Sequence, residues 1–366
     1  MRQARIWRHF DIWLLAVVAV LTIAGVAMIR SAIAGNEELA ETPSRQAIFA
    51  MAGFVVILLV AAIDYRLWST LSRPIYLVTL ILLSLITFAG VVGFGAARWF
   101  RVGIVNIQPS ELAKIFMILI LAGYLARNQH KVDQTGTLVR SLALVGLPAL
   151  LVFIQPDLST AIVLGVIWVS LIWASGVRYR RLAVLVFIAL LAPILAWPLL
   201  QPYQQARVIT FLFPDPDAQF GATYNVNQAL ITIGSGGWTG MGYGNGTQVQ
   251  LRFLKVRHTD FIFSAMSEEF GFVGALIFLV LFLFVILRCL RAARIARDMY
   301  GSLICYGVAV LLFFQGAFNI GVNLNLFPVS GLPLPFFSYG GSSLLTSLLG
   351  IGLVESVILR HKQIEL

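Results

Sequence analysis

Charge is scarce in this chain of 366 residues: Asp, Glu, Lys and Arg make up 11% of it, where a soluble domain carries about 25%. That scarcity excludes a string of two or three water-soluble domains, which the length alone would permit. Cysteine is nearly absent. Cys289 and Cys305 form neither a disulfide framework nor a metal-ligand spacing. Histidine is rare too: His9, His130 and His361 lie in basic connecting segments, and only His258 stands among other chemistry-bearing residues. No P-loop or dinucleotide fingerprint occurs. No internal repeat of the kind that marks many transporters is visible. The basic start lacks a small-residue cleavage site, so residues 11–30 read as a retained first span and not as a removed signal.

What is present is apolar. Hydrophobic residues make up 59% of the chain and the mean hydropathy is +0.90. Stretches able to cross roughly 30 Å of hydrocarbon recur along its whole length. Ten candidate spans fall at about 12–33, 46–63, 75–96, 110–126, 138–154, 158–176, 182–200, 264–287, 301–323 and 342–359. The expected fold is an all-α polytopic membrane protein, one transmembrane domain over 1–366. A large external loop, 201–263, joins helices seven and eight. An even number of spans puts both termini on one side. Most of the 26 Lys and Arg residues then fall on that side: Arg2, Arg5 and Arg8; Arg66 and Arg73; Arg127, Lys131 and Arg140; Arg178, Arg180 and Arg181; Arg288, Arg291, Arg294 and Arg297; Arg360 and Lys362. The first loop on the other side is acidic, with Glu37, Glu38 and Glu41. By the positive-inside rule both termini are cytoplasmic. The net charge of +10 thus reflects orientation, with no call for a nucleic-acid partner.

The external segments hold the polar clusters. His258-Thr259-Asp260-Phe261-Ile262-Phe263 stands where the long loop enters span eight, with Glu268-Glu269 beyond it. Asp260 at a membrane edge is open to two readings. Desolvation raises a carboxylate pKa and suits a general base; alternatively Asp260 or Thr259 caps the helix, and spacing alone favours the cap. Gln108-Pro109-Ser110-Glu111 is helix-start chemistry. Glu111 and Lys114, three apart, share a face just inside span four, as a functional pair or as a structural one. Gln155-Pro156-Asp157 forms a tight hairpin in which Asp157 caps span six or points into an external cavity. Arg98 and Arg101 flank Trp99 against the positive-inside bias. They suit diphosphate recognition or interfacial anchoring. The run Gly234–Gly246 has seven glycines in thirteen residues, as a phosphate cradle or as a hinge. Pro328–Ser343 is apolar, helix-breaking backbone that needs a protein or water partner, as a re-entrant turn or as a wall for a lipid tail or sugar.

Taken in order, Gln108-Pro109-Ser110-Glu111, Gln155-Pro156-Asp157, His258–Phe263 and Leu334-Pro335-Phe336-Phe337-Ser338-Tyr339-Gly340-Gly341-Ser342-Ser343 resemble the SEDS family (shape, elongation, division and sporulation). The resemblance covers nearly the whole chain. Ile233–Gly237 and Gly246-Thr247-Gln248-Val249-Gln250-Leu251 are closer to its elongation branch, RodA, than to its division branch, FtsW. Leu254-Lys255-Val256-Arg257 departs from the Leu-Pro-Glu-Arg-like run usual before the His.

The resemblance implies an inverting peptidoglycan glycosyltransferase of the bacterial cytoplasmic membrane, its site facing outside. The substrate it implies is lipid II, a disaccharide-pentapeptide on undecaprenyl diphosphate. Asp260 matches the family's essential aspartate and would be the base. Glu111 and Lys114 match a pair lining the central cavity, and Asp157 matches a further carboxylate. Arg98, Arg101 and Arg207 are diphosphate candidates by their chemistry; His258, Ser338 and Ser342 are further cavity candidates. A divalent cation, magnesium or manganese, would suit the diphosphate, although no ligand cluster demands one. The implied partner is a class B penicillin-binding protein, a transpeptidase. Two rival functions are a lipid II flippase and a non-catalytic scaffold of the cell-wall machinery. A flippase needs midplane ionisable groups, whereas the polar motifs here cluster at external ends.

Overall fold

The computed structural model describes residues 7–361 apart from 90, 94–95, 103–104 and 215–220; the side chains of 87–98, 101–105, 192, 193 and 195 also lie outside the description. The chain is mainly helical. The first half comprises α1 (Ile12–Ala32), α2 (Thr42–Ala62), α3 (Tyr65–Thr70), α4 (Ser72–Ala89), α5 (Pro109–Arg127), α6 (Thr135–Ile154) and α7 (Leu158–Ala174). The second comprises α8 (Tyr179–Ala196), α9 (Pro202–Leu212), α10 (Gly221–Ser235), α11 (Thr247–Gln250), α12 (Ile262–Ile295), α13 (Met299–Asn323) and α14 (Gly341–Leu359). Among the described residues seven helices are long and apolar enough to cross a membrane: α1, α2, α5, α6, α12, α13 and α14. α4 and α7 are shorter apolar helices, and α8 coincides with the seventh expected span.

Helix starts follow local chemistry. Asp11 accepts from Leu14 N ahead of α1, Asp157 from Thr160 N ahead of α7, and Asp298 from Gly301 N ahead of α13. Each satisfies a backbone donor that the helix leaves unpaired. Burial then sorts the spans. The apolar window of α14 is 89% buried and that of α5 78%, against 33% for α12. α5 and α14 are therefore the central helices, and α12 turns an apolar face outward. α14 lies against α2, where a Cβ at Gly53 would meet Leu348 Cδ1 at 2.2 Å and one at Gly352 would press on Ile57 and Val60 at 3.1 Å. Small residues allow such close approach between apolar helices, where packing replaces a hydrophobic driving force.

Three expectations are corrected. The third span ends at Ala89 and not near residue 96. It runs into a three-stranded antiparallel sheet of β1 (Val91–Gly93), β2 (Ala96–Val102) and β3 (Val105–Ile107), with Val91 opposite Trp99 and Phe100 opposite Ile107. The stretch is rich in β-branched and aromatic residues punctuated by glycine, which are hairpin signals. The fold is thus not purely α. Second, the large segment 201–263 carries helices α9, α10 and α11, which the span reading does not resolve. Third, α12 outruns the expected 264–287 at both ends and is broken at Gly271, whose φ of 65° and ψ of −165° suit glycine alone.

The glycine run packs into that break. Met241 N and Gly242 N donate to the carbonyls of Glu268 and Glu269; Phe272 N and Val273 N donate to those of Gly237 and Trp238. A Cβ at Gly236 would meet the Ser267 carbonyl oxygen at 2.0 Å, and one at Gly240 that of Glu269 at 2.2 Å. These glycines permit a backbone-to-backbone crossing that satisfies the groups freed by the broken helix. Their N–H groups at 241 and 242 are consumed there and do not cradle phosphate.

Candidate active site

Asp260 sits on the turn leading into α12. The cap reading fails: the helix is capped at Phe261 with no side-chain bond, and the Thr259 hydroxyl bonds back to Val256 O. The turn is held from outside instead. Asn319 and Asn323 of α13 donate to the Asp260 carbonyl at 3.1 and 2.9 Å. Asn323 Oδ1 accepts from Ser264 N and Oγ, so a distant helix supplies the cap. The Ser338 hydroxyl donates to Thr259 O at 2.7 Å and accepts from Leu334 N, while Tyr339 N donates to His258 O. Gln46 grips the same turn from α2, donating to Ser338 O and accepting from Gly340 N. Ser338 and His258 therefore adjoin Asp260 through backbone contacts that set the turn.

The carboxylate itself is left uncommitted. Among the described residues no donor hydrogen-bonds it, and it is only half-buried by its surface exposure. Protein crowds it closely enough that desolvation raises its pKa from 3.8 to about 6, and the positive charge of Arg207 opposes part of that rise. A carboxylate with this pKa is ionised at neutral pH yet more basic than an ordinary aspartate, the condition for a general base. Burial and the neighbouring Arg257 lower the pKa of His258, which is therefore neutral at the same pH.

Arg207, whose charge acts on Asp260, lines two recesses. The larger, about 590 Å³ of atom-free space, is lined by Asp157, Ser159, Tyr203, Arg207 and Ser330 on its polar side, and by Ile162, Phe314, Phe318 and Leu332 on its apolar side. The smaller, about 330 Å³, is lined by Arg207, Asn227, Asn325 and Phe327 among others. Arg207 is fixed by a bond from Nη1 to Val329 O at 3.3 Å and by stacking over Tyr203. Asp157 is buried and does cap α7, yet its Oδ2 also accepts from Thr160 Oγ1 at 2.9 Å, Gln108 Nε2 at 3.2 Å and Ser110 Oγ at 3.3 Å. It knots the starts of α5 and α7 together at the recess wall. Ser342 extends the knot to α14, accepting from Gln108 N and donating to Asn106 O.

Glu111 and Lys114 form the buried pair expected, 2.7 Å apart, with the lysine fully buried. Glu111 Oε2 has no partner. Arg98 and Arg101 belong to β2 by their backbone; their side chains lie outside the described residues. Among the described residues no three His, Cys, Asp or Glu side chains converge as a metal site. Among those residues the donor set does not fit a protein-held cation. The sequence reading missed Gln46, Asn319 and Asn323. Buried amides within apolar spans are the signal that marks them, because such groups require partners.

A family model described as cell cycle protein, covering FtsW, RodA and SpoVE, matches residues 7–363. The chain belongs to the SEDS family. Among SEDS relatives, the peptidoglycan glycosyltransferase MrdB of Escherichia coli K12 is 37% identical over 357 residues, 97% of this chain and 95% of that protein. The probable peptidoglycan glycosyltransferase FtsW of Hydrogenovibrio crunogenus is 35% identical over 371 residues, 99% and 94% of the two chains. Two solved SEDS-like structures share the fold. One, from work on the structural coordination of polymerization and crosslinking by a peptidoglycan synthase complex, superposes with a TM-score of 0.83 at 33% identity, covering 97% of this chain and 99% of that one. The other, the rod shape determining protein RodA of Thermus thermophilus, superposes with a TM-score of 0.73 at 30% identity, covering 97% and 98%.

Proposed function

We propose that this protein is a peptidoglycan glycosyltransferase that polymerises lipid II, with Asp260 as general base, ten spans, cytoplasmic termini and an outward-facing site. The observation that carries the reading is the uncommitted Asp260 carboxylate beside Arg207, which lines a half-polar, half-apolar groove. α12 supports the orientation. Its stretch beyond the break at Gly271 runs for 24 residues, from Phe272 to Ile295 beside Arg294, about 36 Å at 1.5 Å per residue. Its ends thus lie on opposite sides of a core roughly 30 Å thick, and the basic end is the cytoplasmic one.

The chemistry follows from these positions. The 4-hydroxyl of the acceptor GlcNAc attacks C1 of the donor MurNAc from the face opposite the diphosphate. The O4–C1 bond forms as the C1–O bond breaks, so the α-linked donor yields a β-1,4 bond. Asp260 takes the acceptor proton, and undecaprenyl diphosphate departs with the bonding pair. Arg207 offsets the charge that grows on the leaving group, where a guanidinium fork matches phosphate oxygens. Phe314, Phe318 and Ile162 provide the apolar wall for the lipid portion.

The assembly partner proposed is a class B penicillin-binding protein, docked on the lipid-exposed faces of α12 and α13, where Phe272, Val273, Leu276, Ile277 and Phe313 are exposed. The solved neighbour from a peptidoglycan synthase complex supports such a partner. Purified protein given lipid II tests the function: wild type yields glycan polymer and Asp260→Ala none. Transbilayer movement of lipid II without polymer would support the flippase instead, and polymer at the wild-type rate from Asp260→Ala would remove Asp260 from the mechanism.

A further inference from the structure

Four arginines mark the basic end of α12 and the turn just beyond it, and two of them are already engaged. Arg288 Nε donates to Asp11 Oδ2 at 2.6 Å, and Arg297 Nε donates to the His361 carbonyl at 3.3 Å. Arg291 and Arg294 have no hydrogen-bond or ionic partner among the described residues. Both line a recess of about 980 Å³ of atom-free space between α7, α12 and α13. Across it stand the hydroxyls of Ser302 and Tyr306, which likewise have no side-chain hydrogen bond among the described residues. Leu287 and Leu290 complete the α12 wall.

The recess is graded along the helix axis. Positions 287, 290, 291 and 294 share one face of α12 at helical spacing. The leucines therefore lie about one turn closer to the bundle centre than the guanidiniums, roughly 5 Å. Exposed Trp173 continues the apolar side, its ring 6.0 Å from that of Tyr306. Cationic and hydroxyl donors at the rim with apolar surface beneath match a molecule that has an anionic head and hydrocarbon tails. A free anion would use the arginines and leave the apolar wall bare. A zwitterionic lipid would bring its own cation against two unpaired arginines.

We propose that this recess binds an anionic glycerophospholipid of the cytoplasmic leaflet, its phosphate held by Arg291 and Arg294 with hydrogen bonds from Ser302 and Tyr306. Arginine forks bind phosphate oxygens in pairs, and basic pockets between spans on the cytoplasmic side take lipid head groups. The leaflet named rests on the orientation proposed above; the binding does not.

Native mass spectrometry of the purified full-length protein in detergent tests the binding without regard to orientation. The probes are dioleoylphosphatidylglycerol, dioleoylphosphatidylcholine and inorganic phosphate. Phosphatidylglycerol is expected to bind in preference to phosphatidylcholine. The double variant Arg291→Ala/Arg294→Ala is expected to weaken it about thirty-fold. Arg73→Ala/Arg140→Ala, which removes the same charge from exposed arginines elsewhere on the basic side, leaves it unchanged. Ser302→Leu, which narrows the recess without altering charge, also weakens it. Equal binding by the two double variants, or equal binding of the two lipids, overturns the proposal. Displacement of the lipid by inorganic phosphate at equal concentration overturns it too, in favour of a plain anion site.

Discussion

Asn323 holds Asp260 by the backbone: its Nδ2 donates to the Asp260 carbonyl at 2.9 Å while its Oδ1 accepts from Ser264 N and Oγ. One amide thus ties the turn before α12 to the first turn of the helix. The carboxylate of Asp260 is left out of the bond and free to take a proton. Losing Asn323 also leaves buried partners unsatisfied, at a cost of about 1–3 kcal/mol.

Asn323→Ala is therefore expected to lower kcat for glycan polymerisation about a hundred-fold, the scale of an ångström's misplacement. KM for lipid II should change little, since no contact with the lipid is removed. A changed KM at unaltered kcat would assign Asn323 to substrate binding instead.

The pKa of Asp260 sets a pH dependence. With a folded-state value of about 6, activity should rise with pH through about 6 as the base loses its proton. Stability runs the other way. The unfolded carboxylate ionises near 3.8 and the folded one near 6, so folding is penalised progressively as pH rises from about 4 to 6 and stays so above. Asp260→Asn should then melt at a higher temperature than wild type at pH 8, and at the same temperature near pH 4. Equal melting temperatures at both pH values would refute the desolvation account.

Gly271→Ala is expected to abolish most folded yield. A Cβ there would meet Gly240 N at 2.4 Å, and the φ of 65° with ψ of −165° excludes side chains independently. Gly165→Ala, with open space around its Cβ, is the matched control and should express as wild type. Size-exclusion profiles of the detergent-solubilised variants decide between them.

The Glu111–Lys114 pair should show strong coupling. Lys114→Met leaves Glu111 without its only side-chain partner among the described residues in a buried site, a loss of about 3–5 kcal/mol. The double variant Glu111→Gln/Lys114→Met should recover most of that stability, because the desolvated charges are gone together. If the double variant polymerises lipid II normally, the pair is structural; recovered fold with lost activity assigns it to the cavity.

Orientation is tested by accessibility. Cys289 and Cys305 are buried, so background labelling is low. A membrane-impermeant maleimide should label Glu38→Cys in intact cells and Gly136→Cys only after permeabilisation. The reverse pattern would invert the proposed topology.

Much was legible in the sequence because lipid simplifies the code. Hydrocarbon demands long apolar helices with internally satisfied backbones, so the spans, the basic segments and the few polar clusters are visible in one dimension. Glu111 and Lys114 pair at helical spacing, and Asp157 caps the next helix directly after a proline; both are local relationships. The β1 segment was absorbed into a span because its residues are as apolar as the helix before it.

The rest depended on contacts between distant residues. Spacing read Asp260 as a helix cap, and only the packing of α13 showed that Asn323, 59 residues from the helix start it caps, does that work and frees the carboxylate. The glycine run was open to a phosphate cradle or a hinge; the broken helix takes up its N–H groups at Met241 and Gly242. Local sequence determines which groups a short segment must satisfy. Which partner satisfies them, and so which polar group is left over for chemistry, is decided by tertiary packing, because a buried hydrogen bond is as strong between residues hundreds apart as between neighbours.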